Sequence, residues 1–359
     1  MKPASQRIPW LDWVRGFAAV TMLQGHVFQS FLRDDLRGGG TYVLSQFVGG
    51  MPPAVFLFLL GVTFAFLMDS QERKGFPAGT RLFAAFKRSG YLFAAAFAFR
   101  LQLWLFSFDK SPWTDLFRVD ILNCMGLALL VLSPMAVFRT VERIRLCAIL
   151  GFGIAIASPF VSNVNWSGVP EIVQNYVKPS YQFFGFFPWA AFVPFGMSIG
   201  SILRLQKPAD IPTTMQWFGW GGVALAFAAY ALSSLSPSIY TNSDFWLNSP
   251  ALILIKTGVV LIVIVFAWIW NLRIAPTDWS WVRQFGLTSL LVYWVHVELV
   301  YGRWFGYLKS QLTVGQTLFA AVLTIALMLG LSLIRTNWAT VKAYVFAGES
   351  GLERRVSGD

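Results

Sequence analysis

The chain is poor in charge. Only 13% of its 359 residues are Asp, Glu, Lys or Arg, against about 25% in a typical soluble domain. With 56% hydrophobic residues and a mean hydropathy of +0.59, an ordinary soluble fold is excluded. Cysteine is nearly absent, with only Cys124 and Cys147. That excludes a disulfide framework, and the spacing fits no Cys-x-x-Cys metal or redox motif. Both lie in apolar segments, which suits buried free thiols. Histidine is as scarce, with only His26 and His296, so no His-x-x-x-His pair exists and no local metal motif is present. A Walker phosphate loop is missing too. The net charge of +11 and pI near 9.9 come without a dense basic run interleaved with exposed aromatics, which argues against nucleic acid as a partner. The sequence shows no fixed-period repeat and no low-complexity tract.

What the chain has instead is long apolar runs, and the first is the most informative. Arg7–His26, RIPWLDWVRGFAAVTMLQGH, opens an apolar stretch reaching about Leu32, long enough to span a membrane. It lacks a small-residue cleavage site and carries charge, so it reads as a retained first helix rather than a signal peptide. Asp12 and Arg15 are three apart and can pair on one face. Arg15 and His26 are eleven apart, which returns to nearly the same face about 16 Å further along. Ionisable groups inside a span are costly and usually mark a site. The plainer alternative is that Arg15 snorkels or only pairs with Asp12.

Ten spanning helices are expected, near 9–31, 46–68, 86–108, 119–138, 146–163, 181–203, 216–235, 250–270, 284–305 and 315–334. Pro188 and Pro194 should kink the sixth. With the N-terminus inside, eighteen Lys and Arg fall in inside segments and seven outside. That bias places both termini in the cytoplasm. The expected fold is therefore an all-α polytopic membrane protein: one transmembrane domain over 1–344 and a loose tail over 345–359. Outer loops 164–180 and 236–249 mix Asn, Ser, Pro and aromatics, a character that suits sugar binding or an interfacial belt.

The residues that could carry chemistry are few. His26 and His296 lie about 25 Å and 18 Å from the cytoplasmic end at 1.5 Å per residue. Asp120 and Asn123 can share a face at the outer end of the fourth span. Glu298 follows His296 by two positions and so faces elsewhere. Arg100 is near mid-depth in the third span, and Lys256 sits about two turns below the outer end of the eighth. A metal held by the two His with Asp120 or Glu298 is a weak alternative, because no local ligand spacing supports it; no metal is expected.

The pattern Arg7, Leu11-Asp12, Arg15-Gly16 and His26 resembles the first helix of transmembrane acyltransferases. It is shared by the acyltransferase-3 family and by bacterial relatives of heparan-alpha-glucosaminide N-acetyltransferase. Pro52–Phe66, PPAVFLFLLGVTFAF, is similar to the second helix of the latter group; FRVDILNCMGLAL and LTSLLVYWVHVELVYG resemble its middle and late helices. The resemblance implies transfer of an acyl group, acetyl from acetyl-CoA, to an amine or hydroxyl of an extracytoplasmic saccharide or glycolipid. Under that reading His26 is the general base, although His296 stays open for the role. Asp120 or Glu298 orients base or acceptor, Arg15 and Arg100 hold donor phosphate, and Asn123 and Lys256 face the acceptor. The expected setting is a bacterial cytoplasmic (inner) membrane, with lipids around the chain and homo-oligomers left open. The alternative from another class is a transporter or flippase for a lipid-linked or small anionic solute, using the same buried groups as a proton relay; the lack of a repeat argues against it.

The topology is testable at two positions. A cysteine introduced at Lys74 should be labelled only from the cytoplasmic side and one at Ser236 only from the outer side. Labelling of both from one side would refute the ten-span count.

Overall fold

The computed structural model describes residues 8–107, 110–234, 240, 242–274 and 279–342. Arg7, Ser236 and the expected tail over 345–359 lie outside the described residues. Among those described, fourteen α-helices and several short 3₁₀ turns occur and no strand; the nearest approach to one is an isolated parallel bridge between Leu32 and Leu312. The helices are α1 (Pro9–Phe31), α2 (Gly40–Gly49), α3 (Pro52–Arg73), α4 (Ala78–Phe106), α5 (Ile121–Leu132), α6 (Thr140–Asn163) and α7 (Glu171–Val177). They continue as α8 (Phe186–Trp189), α9 (Phe192–Leu205), α10 (Ile211–Ser234), α11 (Pro250–Arg273), α12 (Trp281–Leu287), α13 (Ser289–Tyr301) and α14 (Val314–Thr336).

Every expected span contains a helix, but the described helices are not ten equal rods. Six stretches among the described residues are long and apolar enough to cross a membrane: Gly40–Arg73, Ala78–Phe106, Thr140–Asn163, Phe186–Leu205, Pro250–Arg273 and Val314–Thr336. Helices α1 and α10 have the length, 23 and 24 residues, but not the hydropathy. Asp12, Arg15, Gln24 and His26 dilute α1, and Gln216 with its neighbouring Gly and Trp residues dilutes α10. The fourth expected span is a 12-residue α5 prolonged by a 3₁₀ turn, Ser133–Ala136. The sixth does break near Pro188: α8 ends at Trp189 and α9 begins at Phe192, with Pro194 tolerated inside α9.

The ninth expected span is split. Thr288, at φ −128° and ψ 23°, interrupts it between α12 and α13. A polar side chain meets the backbone near this break, as a helix break in apolar surroundings requires: Ser332 Oγ donates to Gln284 O at 3.1 Å. Gln284 Nε2 donates to Ser332 O at 3.1 Å, to Ser332 Oγ at 3.0 Å and to Thr336 Oγ1 at 2.9 Å.

The chain divides into two compact units, Met1–Gly49 with Ala275–Asp359, and Gly50–Ile274. In the first, α1 packs on α12, α14, α2 and α13. Its tightest contact has backbone against backbone: a Cβ on Gly16 would lie 1.7 Å from Val282 O, and one on Gly286 would lie 1.8 Å from Asp12 O. Gly25 and Gly49 bring α1 and α2 together in the same way, a Cβ on either meeting the other's Cα at 2.7 Å. Small residues at such crossings are how helices associate where lipid supplies no hydrophobic drive between them. Outward from His26, Val27, Phe28, Phe31 and Leu32 form an apolar cluster with Val300 and Ala321.

In the second unit, α3 packs along α9 with Gly61 and Gly196 at the crossing, and α10 packs on α11. Where α3 and α9 end and α4 and α6 begin, an ionic network centred on the buried Asp69 and Arg143 ties the four together. Asp69 accepts from Arg204 Nε at 2.6 Å, Arg73 Nε at 3.1 Å and Thr140 Oγ1 at 3.2 Å. Glu72 accepts from Thr140 N at 3.0 Å and Arg143 Nη2 at 3.3 Å, with Arg81 at 3.8 Å. Arg143 is fully buried and gives Nη1 to Phe138 O at 2.8 Å.

Replacing Gly286 by Ala should force α12 off α1 and lower the thermal midpoint in detergent, with an overpacking cost of about 1–3 kcal/mol. Gly153, which has nothing within 4 Å of an added Cβ, should tolerate the same change. Equal midpoints for the two variants would show that the α1–α12 crossing is not under steric constraint.

Candidate functional site

The two histidines of the chain meet. Both belong to the first unit. His26 sits in the C-terminal half of α1 and His296 in the middle of α13. His26 Nδ1 lies 2.9 Å from His296 Nε2, with ring centroids 5.1 Å apart and planes 22° from parallel. The second nitrogen of His296, Nδ1, lies 2.8 Å from Val292 O, one turn back on the same helix. Two tyrosines complete the aromatic surround. Tyr301 meets the His26 ring edge-on at 5.2 Å, and Tyr293 meets His296 at 5.9 Å. His296 is completely buried, while His26 keeps part of its surface accessible.

Neighbouring polar groups fix α1 in place. Tyr301 Oη donates to Gln29 Oε1 at 2.8 Å, Ser30 Oγ to Val300 O at 2.9 Å and Gln46 Nε2 to Gly25 O at 3.2 Å. Gln24 Nε2 donates to Ser45 Oγ. Arg37 binds back onto Gln29 O at 2.9 Å and Ser310 Oγ at 3.1 Å. The α1 segment around His26 is thus held by α2, by α13 and by the loop before α14.

The other expected site residues fall as follows. Arg15 forms an ion pair with Asp12, Nη1 to Oδ1 at 2.8 Å; the carboxylate is buried and the guanidinium partly open. Glu298 is buried and accepts from Trp304 Nε1 at 3.1 Å, near the end of α13. Asp120, Asn123, Arg100 and Lys256 belong to the second unit. There Asp120 caps α5, its Oδ1 accepting from Leu122 N at 2.9 Å and Asn123 N at 3.2 Å, while Asn123 Oδ1 accepts from Asp120 N at 3.1 Å. This reciprocal capping box satisfies donors that the helix start would otherwise leave open. Arg100 Nε stands 3.3 Å from Asp120 Oδ2, an ion pair without the alignment of a hydrogen bond. Asn123 Nδ2 donates to Tyr176 Oη at 2.9 Å, and burial raises the Tyr176 phenol above its usual range, so it stays protonated. Lys256 Nζ donates to Gly50 O at 3.1 Å and lies 5.0 Å over the Trp189 ring. Between helices, Tyr181 Oη donates to Asp244 Oδ2 at 2.6 Å, a bond that pushes the phenol up to about 12.

Sequence reasoning missed the surround of the histidine pair. Gln29, three residues after His26, and Tyr293, three before His296, share helix faces with them and were legible by spacing. Tyr301 was not, since its contact with His26 depends on how α1 and α13 meet. No Gly-x-Ser-x-Gly elbow was expected, yet Gly196-Met197-Ser198-Ile199-Gly200 has that spacing. That motif requires a strand-to-helix turn, whereas Ser198 lies inside α9 and donates to Ile144 O at 2.9 Å. Its glycines serve the α3–α9 crossing instead. Among the described residues no group of three or more His, Cys, Asp or Glu could hold a metal ion.

The comparisons with known proteins bear on residues 7–228, more than half of the chain. That stretch matches a family model described as heparan-alpha-glucosaminide N-acetyltransferase, catalytic. It contains Arg15, His26, Arg100, Asp120 and Asn123, whereas Lys256, His296 and Glu298 lie beyond it. Among curated proteins none matches the chain significantly. The acyltransferase-3 side of the resemblance thus rests on the first-helix pattern alone. With its apolar helices and this match, the chain belongs to the heparan-alpha-glucosaminide N-acetyltransferase catalytic family.

Proposed function

We propose that this chain is an integral-membrane acetyltransferase that takes an acetyl group from cytosolic acetyl-CoA and delivers it to an amine or hydroxyl of an extracytoplasmic saccharide or glycolipid. The observation that carries the reading is a partly accessible imidazole, His26, held by a second imidazole inside an apolar helical unit. The family match makes acetyl transfer to a saccharide the chemistry that such a base serves.

In this reaction His26 takes the proton from the acceptor nitrogen or oxygen as that atom attacks the thioester carbonyl. The C–S bond breaks and coenzyme A leaves as the thiolate, which recovers a proton. A base placed in this way contributes about 10²–10⁴-fold. Arg15 lies about 16 Å from His26 along α1, which suits a donor whose phosphates sit toward the helix start and whose thioester reaches the imidazole. Arg100 is assigned to the donor as well. Asp120 and Glu298 are assigned to orienting base or acceptor, and Asn123 and Lys256 to the acceptor. The proposal includes ten spans with both termini in the cytoplasm of a bacterial inner membrane and residues 1–344 acting as one catalytic domain.

Two measurements test this. His26→Ala should lower acetyl transfer by about 10²–10⁴-fold while folding and coenzyme A binding persist, and His26→Gln should be nearly as inactive. Full activity of both in reconstituted vesicles would remove His26 as the base. Solute movement across the vesicles with no acetyl transfer would instead establish the transport alternative.

Arg15→Ala should weaken acetyl-CoA binding tenfold to a hundredfold, as loss of a charge-assisted bond worth about 1.5–3 kcal/mol implies. Because the change strands the buried Asp12 carboxylate, Asp12→Asn with Arg15→Ala is the matched control. If the double variant regains donor affinity, Arg15 serves only Asp12.

A further inference from the structure

We propose that His296 is a positioning residue that locks His26 in one tautomer, leaving Nε2 of His26 as the atom with the free lone pair. A backbone carbonyl can only accept, so the 2.8 Å contact to Val292 O requires the proton of His296 on Nδ1. In a neutral imidazole the other nitrogen is then bare. His296 Nε2 is therefore an acceptor, and the 2.9 Å contact requires His26 to donate from Nδ1. His26 is left with an unprotonated Nε2. The neutral pair needs no counter-ion, whereas an imidazolium within an apolar helix pair would.

The same geometry divides the roles. Both nitrogens of His296 are used, and the side chain is wholly buried, so it cannot reach a substrate. His26 has one nitrogen used and part of its surface open. When Nε2 of His26 takes a proton, the Nδ1–H···Nε2 bond becomes charge-assisted and stronger, which stabilises the imidazolium. A proton passed on to His296 would go no further, because the next partner is a carbonyl oxygen. The pair therefore orients and stabilises; it is not a proton wire. The catalytic consequence rests on the reading of His26 as the base, but the tautomer assignment does not.

Because the chain has only two histidines, ¹⁵N-histidine labelling of the full chain in lipid nanodiscs gives four ring-nitrogen signals. Long-range ¹H–¹⁵N correlation at neutral pH should show both rings neutral, each protonated at Nδ1 and bare at Nε2. His296→Leu, which removes the acceptor, should shift His26 toward the Nε2–H tautomer. It should also lower kcat for acetyl transfer roughly tenfold to a hundredfold, the range seen when the group that orients a metal-bound histidine is lost, with KM for acetyl-CoA unchanged. His296→Gln, whose amide oxygen can accept the same Nδ1–H, should restore both the tautomer and most of kcat. A protonated Nε2 on His26 in the unmodified chain would overturn the proposal, and so would an unchanged His26 tautomer in His296→Leu. If the tautomers are as stated but His26→Gln transfers acetyl at full rate, the lock stands and the base assignment fails.

Discussion

Helix backbones brought to contact distance are the constraint on which the first unit depends. At Gly16 and Gly286 a single added carbon would fall within 2 Å of the opposing carbonyl, so α1 and α12 meet with no side chain between them. Such an approach maximises van der Waals contact where no hydrophobic gain is on offer between helices. It also fixes the register of α1 against everything that follows α12. The break at Thr288 then redirects the chain into α13, and His296 arrives opposite His26. A loose crossing would leave the two imidazoles without a defined separation, since a hydrogen bond of 2.9 Å tolerates only tenths of an ångström.

Polarity inside the two units is handled in two different ways. In the first, the histidine pair and, separately, Gln284, Thr288 and Ser332 are joined by hydrogen bonds between uncharged side chains, with Asp12–Arg15 as a single ion pair on α1. In the second, full charges are buried. Asp69 and Glu72 are surrounded by Arg73, Arg81, Arg143 and Arg204, which also donate to Thr140 and to the main-chain carbonyls of Val137, Phe138 and Arg204. A buried ion pair gains little over a well-packed apolar pair, yet losing one partner is severe because the other is stranded. The network therefore specifies how α3, α4, α6 and α9 come together more than it stabilises them. Asp120 plays a similar part, capping α5 and facing Arg100.

In the proposed reaction the histidine pair acts as a base and its orienter. In hydrolytic triads a carboxylate holds the imidazole in the correct tautomer and stabilises the ion it becomes. Here a neutral imidazole does the holding. A neutral partner asks for no counter-charge in apolar surroundings, at the cost of weaker stabilisation of the imidazolium.

The amino-acid sequence by itself determined that the chain is helical and rich in membrane-length segments, because low charge and long apolar runs have few other solutions. It also marked Asp12 with Arg15, and Asp120 with Asn123, as local partners, because three-residue spacing on a helix is a short-range fact. The family was legible in the first helix for the same reason: its pattern lies within one short segment. Tertiary structure decided the rest. It alone paired His26 with His296, 270 positions apart, and assigned their tautomers through Val292 O. It gave Asp120 its place as the cap of α5 and Glu298 the Trp304 indole as a donor. It showed the Gly-x-Ser-x-Gly spacing to be a helix crossing rather than an elbow. The physical reason is the same in each case: spacing along one helix is set by its 3.6-residue turn, whereas contacts between helices are set by which backbones can touch.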